Sequence, residues 1–341
     1  MSIKPAWDSR LPAELSDLHI HVGGAVAPHI LYSIAHQQGF KLPARDYWSF
    51  VELVTVKPEN TKNLDDYLKV MHEWTERIQS SPAAIERSVY EIIGKEYRGS
   101  RVTTMELRFN PMKRNLSGER DLDHIIQAAL HGKDDATLEY GTRCALIFCL
   151  AREFAYELNE IIVNKAIKYQ ARGVVGIDLA GPESMNLELR VTDAGRYEAL
   201  FKKARDAGLK TTVHTGETPH TSGEGVIAVL RHLKPDRIGH GIRAAYNQEA
   251  LDRLRDSGTV LEICPTSNLA THAVKDLAEL GHVLRIFKQH KIPFTINTDG
   301  PYLLDTNMAR ECTLLMDAGI LTSQEIHACF EVAQKASFIP A

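Results

Sequence analysis

Imidazoles and a carboxylate recur at the ends of short apolar runs in this 341-residue sequence. His19 and His21 close the run that begins at Leu18, His214 follows Thr211-Thr-Val, His240 follows Arg237-Ile-Gly, and Asp299 follows Phe294-Thr-Ile-Asn-Thr. Histidines scattered through core or surface would not fall repeatedly at the same place in an element, so this placement suggests ligands converging on one metal ion. His19 and His21 are two residues apart, and in a strand both side chains leave the same face. His214 adds a third nitrogen and Asp299 an oxygen. Three imidazoles and a carboxylate suit zinc with a position left for water, and iron or cobalt accept the same donors. A binuclear site would want a bridging group, often a modified lysine, after the fourth run. That end reads Ile177-Asp-Leu-Ala-Gly-Pro-Glu183, without a lysine, which favours one metal.

Glu217 lies three residues beyond His214, placed to stand beside a metal without ligating it and to exchange protons with a substrate. Its rival reading is a carboxylate at a helix N-terminus, ahead of Thr218-Pro219. His240 sits between Gly239 and Gly241, where small residues permit close approach. It reads either as a buried structural histidine or as a group that orients metal-bound water. The cysteines Cys144, Cys149, Cys264, Cys312 and Cys329 lack C-x-x-C spacing and a neighbouring base, and read as buried thiols.

These groups need elements to hold them. With the first run at Leu18–His21, the stretches beginning at Val102, Ala145, Val174, Thr211, Arg237, Val260 and Phe294 are short, apolar or β-branched, and suit buried parallel strands. Amphipathic segments lie between them. In 193–207, Tyr197, Leu200, Phe201 and Ala204 repeat at helical spacing before Gly208; in 247–257, Asn247 is a cap and Gly258 a stop. Alternation of this kind predicts an α/β fold, a (β/α)8 TIM barrel whose chemistry sits at the carboxyl ends of the strands. No Gly-rich phosphate loop supports an open doubly wound sheet. The segment 24–100 is a helical insertion after the first strand. It reads either as a lid over the barrel mouth, built with Trp48, Phe50, Tyr67, Leu68 and Met71, or as a helical layer with its own small core.

Length alone allows roughly two domains, but no repeat, low-complexity tract or linker marks a boundary, so residues 1–341 are read as one domain. A charged fraction of 25% with a net charge of −4 and no basic stripe excludes a phosphate-tracking surface, and hence a nucleic-acid partner. The N-terminal Met1-Ser-Ile-Lys-Pro-Ala lacks a signal-peptide core and no stretch is apolar enough to span a bilayer, so no membrane partner and a cytoplasmic location are expected.

The chain resembles the adenosine deaminase family of the amidohydrolase superfamily. The resemblance rests on an ordered set: Asp17-Leu-His-Ile-His21, Glu106-Leu-Arg-Phe-Asn-Pro111, Ile177-Asp-Leu-Ala-Gly181, His214-Thr-Gly-Glu217, Ile238-Gly-His-Gly241, Cys264-Pro-Thr-Ser-Asn268, Asn297-Thr-Asp299 and Lys335-Ala-Ser-Phe338. It implies one zinc ion held by His19, His21, His214 and Asp299, with Glu217 protonating a purine at N1 and His240 positioning hydroxide. Gly181 would approach N3 through its backbone amide. The implied reaction is hydrolytic deamination of a small-molecule nucleoside, adenosine or deoxyadenosine.

Two positions depart from the family pattern. Gly23 stands where an acid usually meets the ribose 5′-hydroxyl, and Gly300 where a second aspartate usually meets purine N7. The missing side chain at Gly23 suggests room for a 5′-substituted adenosine such as methylthioadenosine, adenosylhomocysteine or aminodeoxyfutalosine. Gly300 leaves other aminated heterocycles open. Two further classes stand beside the deaminase: a nucleoside-binding protein without turnover, against which Glu217 and His240 argue, and a barrel hydrolase of amides or esters.

Overall fold

The apolar runs become strands in a computed structural model that describes residues 7–57, 61–116, 121–185 and 191–340. They are β1 (Leu15–His21), β2 (Val102–Phe109), β3 (Arg143–Ala151), β4 (Val174–Ala180), β5 (Lys210–Thr215), β6 (Arg237–His240), β7 (Val260–Ile263) and β8 (Phe294–Ile296). Each pairs in parallel with the next, in the order β1 through β8. Ring closure comes from the residues just after β8: Ile20 bridges Asp299, the His21 N–H donates to the Asp299 carbonyl at 2.7 Å, and the Asp299 N–H donates to the His19 carbonyl at 2.8 Å. The fold is therefore a (β/α)8 barrel with helices on its outside, as the alternation predicts.

The outer helices form where the sequence supplies caps and one apolar stripe. In Gln248–Ser257 the Asn247 side chain accepts from the Ala250 N–H at 3.1 Å, Ala250, Leu251 and Leu254 are buried, and Gly258 closes the helix at φ 67°. The helix at 193–207 runs from Val191 to Asp206, with Tyr197, Leu200, Phe201 and Ala204 all buried. Several strands extend past the apolar cores that mark them in the sequence; β3, for example, begins at Arg143 and ends at Ala151.

Between β1 and β2 lie the helices Pro28–Gln37, Tyr47–Leu53, Leu64–Val70 and Pro82–Ser100, with a π-helical turn at Met71–Thr75 and a short helical turn at Glu76–Ile78. The two readings of this segment divide along it. Phe50 is buried in the main core, while Tyr67 and Met71 form a separate small cluster with Leu303 and Leu304 over the end of β8. Trp48 belongs to neither and is 75% exposed. All five cysteines are buried thiols. Among the described residues no helix is long and apolar enough to cross a membrane; the stretch from Met1 to Ala6, read above for a targeting signal, lies outside them.

Candidate metal centre and active site

The barrel brings the strand-end groups together. The Nε2 atom of His214 lies 3.1 Å from that of His19 and 3.0 Å from that of His21, and Oδ1 of Asp299 lies 3.7 and 3.6 Å from the same two nitrogens. Four donors placed about 2.1 Å from a tetrahedral ion stand roughly 3.4 Å from one another, so the spacing fits a single metal. The backbone pairing that closes the barrel also fixes Asp299 beside His19 and His21. His240 and Asp299 both hold a left-handed backbone at φ 64°, which non-glycine residues adopt only when surrounding structure imposes it.

Tautomers separate His19 and His214 from His240. Nδ1 of His19 meets Glu262 Oε2 at 2.7 Å and Nδ1 of His214 meets Asp178 Oδ1 at 3.0 Å. A carboxylate only accepts, so both rings carry their proton on Nδ1 and turn an unprotonated Nε2 inward. Burial, then the Arg108 charge, holds the His19 pKa well below its ordinary value and keeps that ring neutral. His240 is also within ligand distance of His19 and His214. Its Nδ1, however, faces the side-chain amide of Asn268 at 2.9 Å. The amide donates there, which leaves the proton of a neutral His240 ring on Nε2, a donor rather than a ligand. Burial pushes the His240 pKa down to about 4, so the ring stays neutral. Gly239 makes room for this crowding: a Cβ there would stand 3.1 Å from His19 and 3.2 Å from His214.

The carboxylates behind the histidines form a buried network that sequence reasoning did not assign. Arg108 donates to Asp178 and to Glu262, each at 3.0 Å, and Arg237 donates to Glu262 at 2.6 Å and to Glu106. Arg108, Asp178 and Glu262 are fully buried inside the barrel. The available clue was a charged residue in the middle of an otherwise apolar strand, as in Ile177-Asp-Leu and Leu261-Glu-Ile.

Glu217 stands over the nitrogen cluster, 2% exposed, with Oε2 3.6 Å from His240 Nε2 and Oε1 accepting from the Thr271 hydroxyl at 2.7 Å. Glu183 lies behind it and accepts from the Glu217 and Thr218 N–H groups. Burial first, then the charges of Glu183 and Asp299, pushes the Glu217 pKa up to about 8. Buried with a raised pKa, it stands beside the converging imidazoles, and the next helix begins only at Ser222.

Gly181 borders the same cavity with φ at +97°, and a Cβ there would run into the Glu153 carboxylate. At Gly23 and Gly300 the position that a Cβ would take is already occupied, although Gly23 also borders the cavity. A Cβ at Gly23 would meet the Met71 side chain at 2.9 Å and Glu76 at 3.1 Å; one at Gly300 would meet the Tyr67 hydroxyl at 2.6 Å. These contacts come from the helical segment between β1 and β2, while Gly23, Met71 and Glu76 also line the cavity.

A buried His/Asp group at the carboxyl ends of the strands of a (β/α)8 barrel is a candidate metal centre, in the place where such barrels carry their active sites. The adenosine deaminase family model matches residues 15–341, and the chain belongs to that family. It is a hydrolytic deaminase acting on C–N bonds. An adenosine deaminase of Vibrio vulnificus is 29% identical over 94% of this chain and 93% of its own length, and one of Vibrio atlanticus 30% over 94% and 92%. Among solved structures, an adenine deaminase of Arthrobacter aurescens superposes with a TM-score of 0.82 at 20% identity, covering 96% of this chain and 94% of that one. The Arabidopsis N6-mAMP deaminase does so at 0.80 and 22%, over 96% and 94%. These structural likenesses show the shared fold.

Proposed function

We propose that the chain deaminates an adenosine-type purine nucleoside hydrolytically, releasing ammonia and leaving a carbonyl on the ring. His19, His21, His214 and Asp299 would hold one zinc ion, the metal best suited to three imidazoles and a carboxylate. Zinc supplies acidified water, lowering its pKa from about 15.7 to about 7.

The protein's own groups supply the rest. Glu217 gives its proton to N1, so that the ring accepts the electron pair displaced when water adds to the adjacent amine-bearing carbon. His240, neutral and with its Nε2–H turned to the cavity, orients the attacking oxygen. The Gly181 amide meets N3 and sets the ring in place. The observation that carries this reading is Glu217: a buried carboxyl, protonated at neutral pH, 3.6 Å from His240 and beside the converging Nε2 atoms.

Ammonia release by zinc-loaded protein tests the proposal against adenosine, deoxyadenosine, adenine, 5′-substituted adenosines, and aminated pterins and pyrimidines. Release from an adenosine-type substrate supports it. No release from any purine would overturn it, and binding without release would leave a nucleoside-binding protein.

A further inference from the structure

Tyr67 projects from the helix Leu64–Val70 onto the end of β8, where its hydroxyl occupies the space a side chain at Gly300 would need. Gly300 is not among the glycines at positive φ, so its backbone would accept any residue. What requires glycine there is Tyr67. The tyrosine is 2% exposed, and its hydroxyl makes no hydrogen bond of 3.5 Å or less among the described residues, although the Asp299 carboxylate is close enough to interact with it. Buried hydroxyls without partners are rare, because water solvates them well outside the protein. This one lines the cavity that also contains His21, Glu217 and Asp299. A ligand carrying an acceptor would reach this hydroxyl from the cavity, in competition with Asp299.

Strand order indicates which acceptor. Glu217 follows β5 and Gly300 follows β8, three strands apart around an eight-stranded ring, so the two positions face one another across the mouth. In an aminated purine the amine-bearing carbon is flanked by N1 on one side and by the N7 edge on the other. A ring that presents N1 to Glu217 turns N7 toward β8. We propose that Tyr67 is a substrate-recognition residue whose hydroxyl donates a hydrogen bond to N7 of the purine. A neutral hydroxyl suits the task, since N7 offers a lone pair and an ionised carboxylate has no proton to donate.

The inference rests on the purine deaminase reading and is tested so that the two fail separately. Wild type and Tyr67→Phe, both zinc-loaded, are compared on adenosine and on 7-deazaadenosine, which carries C–H in place of N7. Tyr67→Phe is expected to lower kcat/KM on adenosine about ten- to a hundredfold, the effect of leaving a buried acceptor unpaired. On 7-deazaadenosine, measured directly or as a competing ligand, it is expected to change the constant less than about twofold. Zinc content should match wild type. Gly300→Ala displaces the same hydroxyl without altering Tyr67, and should lose the same preference for N7. Equal losses on both substrates, or no loss on adenosine, would overturn the proposal while leaving the deaminase reading in place. A wild type that deaminates no purine overturns both.

Discussion

Nδ1 of His214 lies 3.0 Å from Oδ1 of Asp178, and the second oxygen of that carboxylate accepts from Arg108 at the same distance. The pair decides which nitrogen of His214 turns toward the metal donors. Burial opposes a charge on His214, but Asp178 outweighs it and leaves the net pKa shift upward. Asp178→Asn removes that charge and permits the opposite tautomer. Zinc affinity, measured by chelator competition, is expected to fall about ten- to a hundredfold. Unchanged affinity would mean that Asp178 serves only to neutralise Arg108.

Glu217 should govern the alkaline limb of the pH profile. Its pKa is raised to about 8, so the proton-donating form predominates below that pH and is lost above it. Activity is expected to fall as pH rises through about 8. Glu183→Gln removes a neighbouring negative charge that raises this pKa, and should move the limb to lower pH. Glu217→Gln keeps a neutral side chain of the same shape but cannot transfer a proton. It should retain zinc and lose about a hundred- to ten-thousandfold in kcat. Loss of zinc in that variant would make Glu217 a ligand.

How much of this could be read beforehand depends on the range of the information. The strands, the crossover helices and the cluster at their ends were legible, because apolar period, caps and polar strand ends are local. Asn247 and Gly258 bound their helix as predicted. The network behind the ligands was not, because nothing near Arg108 reveals that its partners are Asp178 and Glu262, 70 and 154 residues away. The same holds for the glycines. A glycine in a sequence does not reveal what stands opposite it, and the Met71 side chain at Gly23 and the Tyr67 hydroxyl at Gly300 come from elsewhere in the chain.

The packing at Gly23 gives a stability prediction. A Cβ there would lie 2.9 Å from both Cγ and Sδ of Met71, too close without movement. Overpacking of this kind commonly costs about 1–3 kcal/mol. Gly23→Ala should lower the melting temperature, and shortening the opposing side chain in Gly23→Ala/Met71→Ala should recover part of the loss relative to Met71→Ala alone. Additive effects in this double-mutant cycle would show that the two residues do not compete for the same volume.

Glu96, outside the group of candidate metal donors, makes stability depend on pH. It lies in the helix Pro82–Ser100, 2% exposed, with Oε2 unpartnered among the described residues, and burial pushes its pKa up to about 7. The unfolded chain releases this proton near the ordinary value of 4.5. Between those two values the folded state binds more protons than the unfolded state, so stability from this site declines as pH rises and levels off above about 7. The full decline is on the order of 3 kcal/mol. Glu96→Gln removes the titration. The melting temperature of the variant relative to wild type should therefore rise steadily from pH 5 to pH 7.5, when both are followed by circular dichroism at fixed zinc and ionic strength. A difference independent of pH would place the Glu96 proton elsewhere, on a carboxylate that titrates normally in the folded protein.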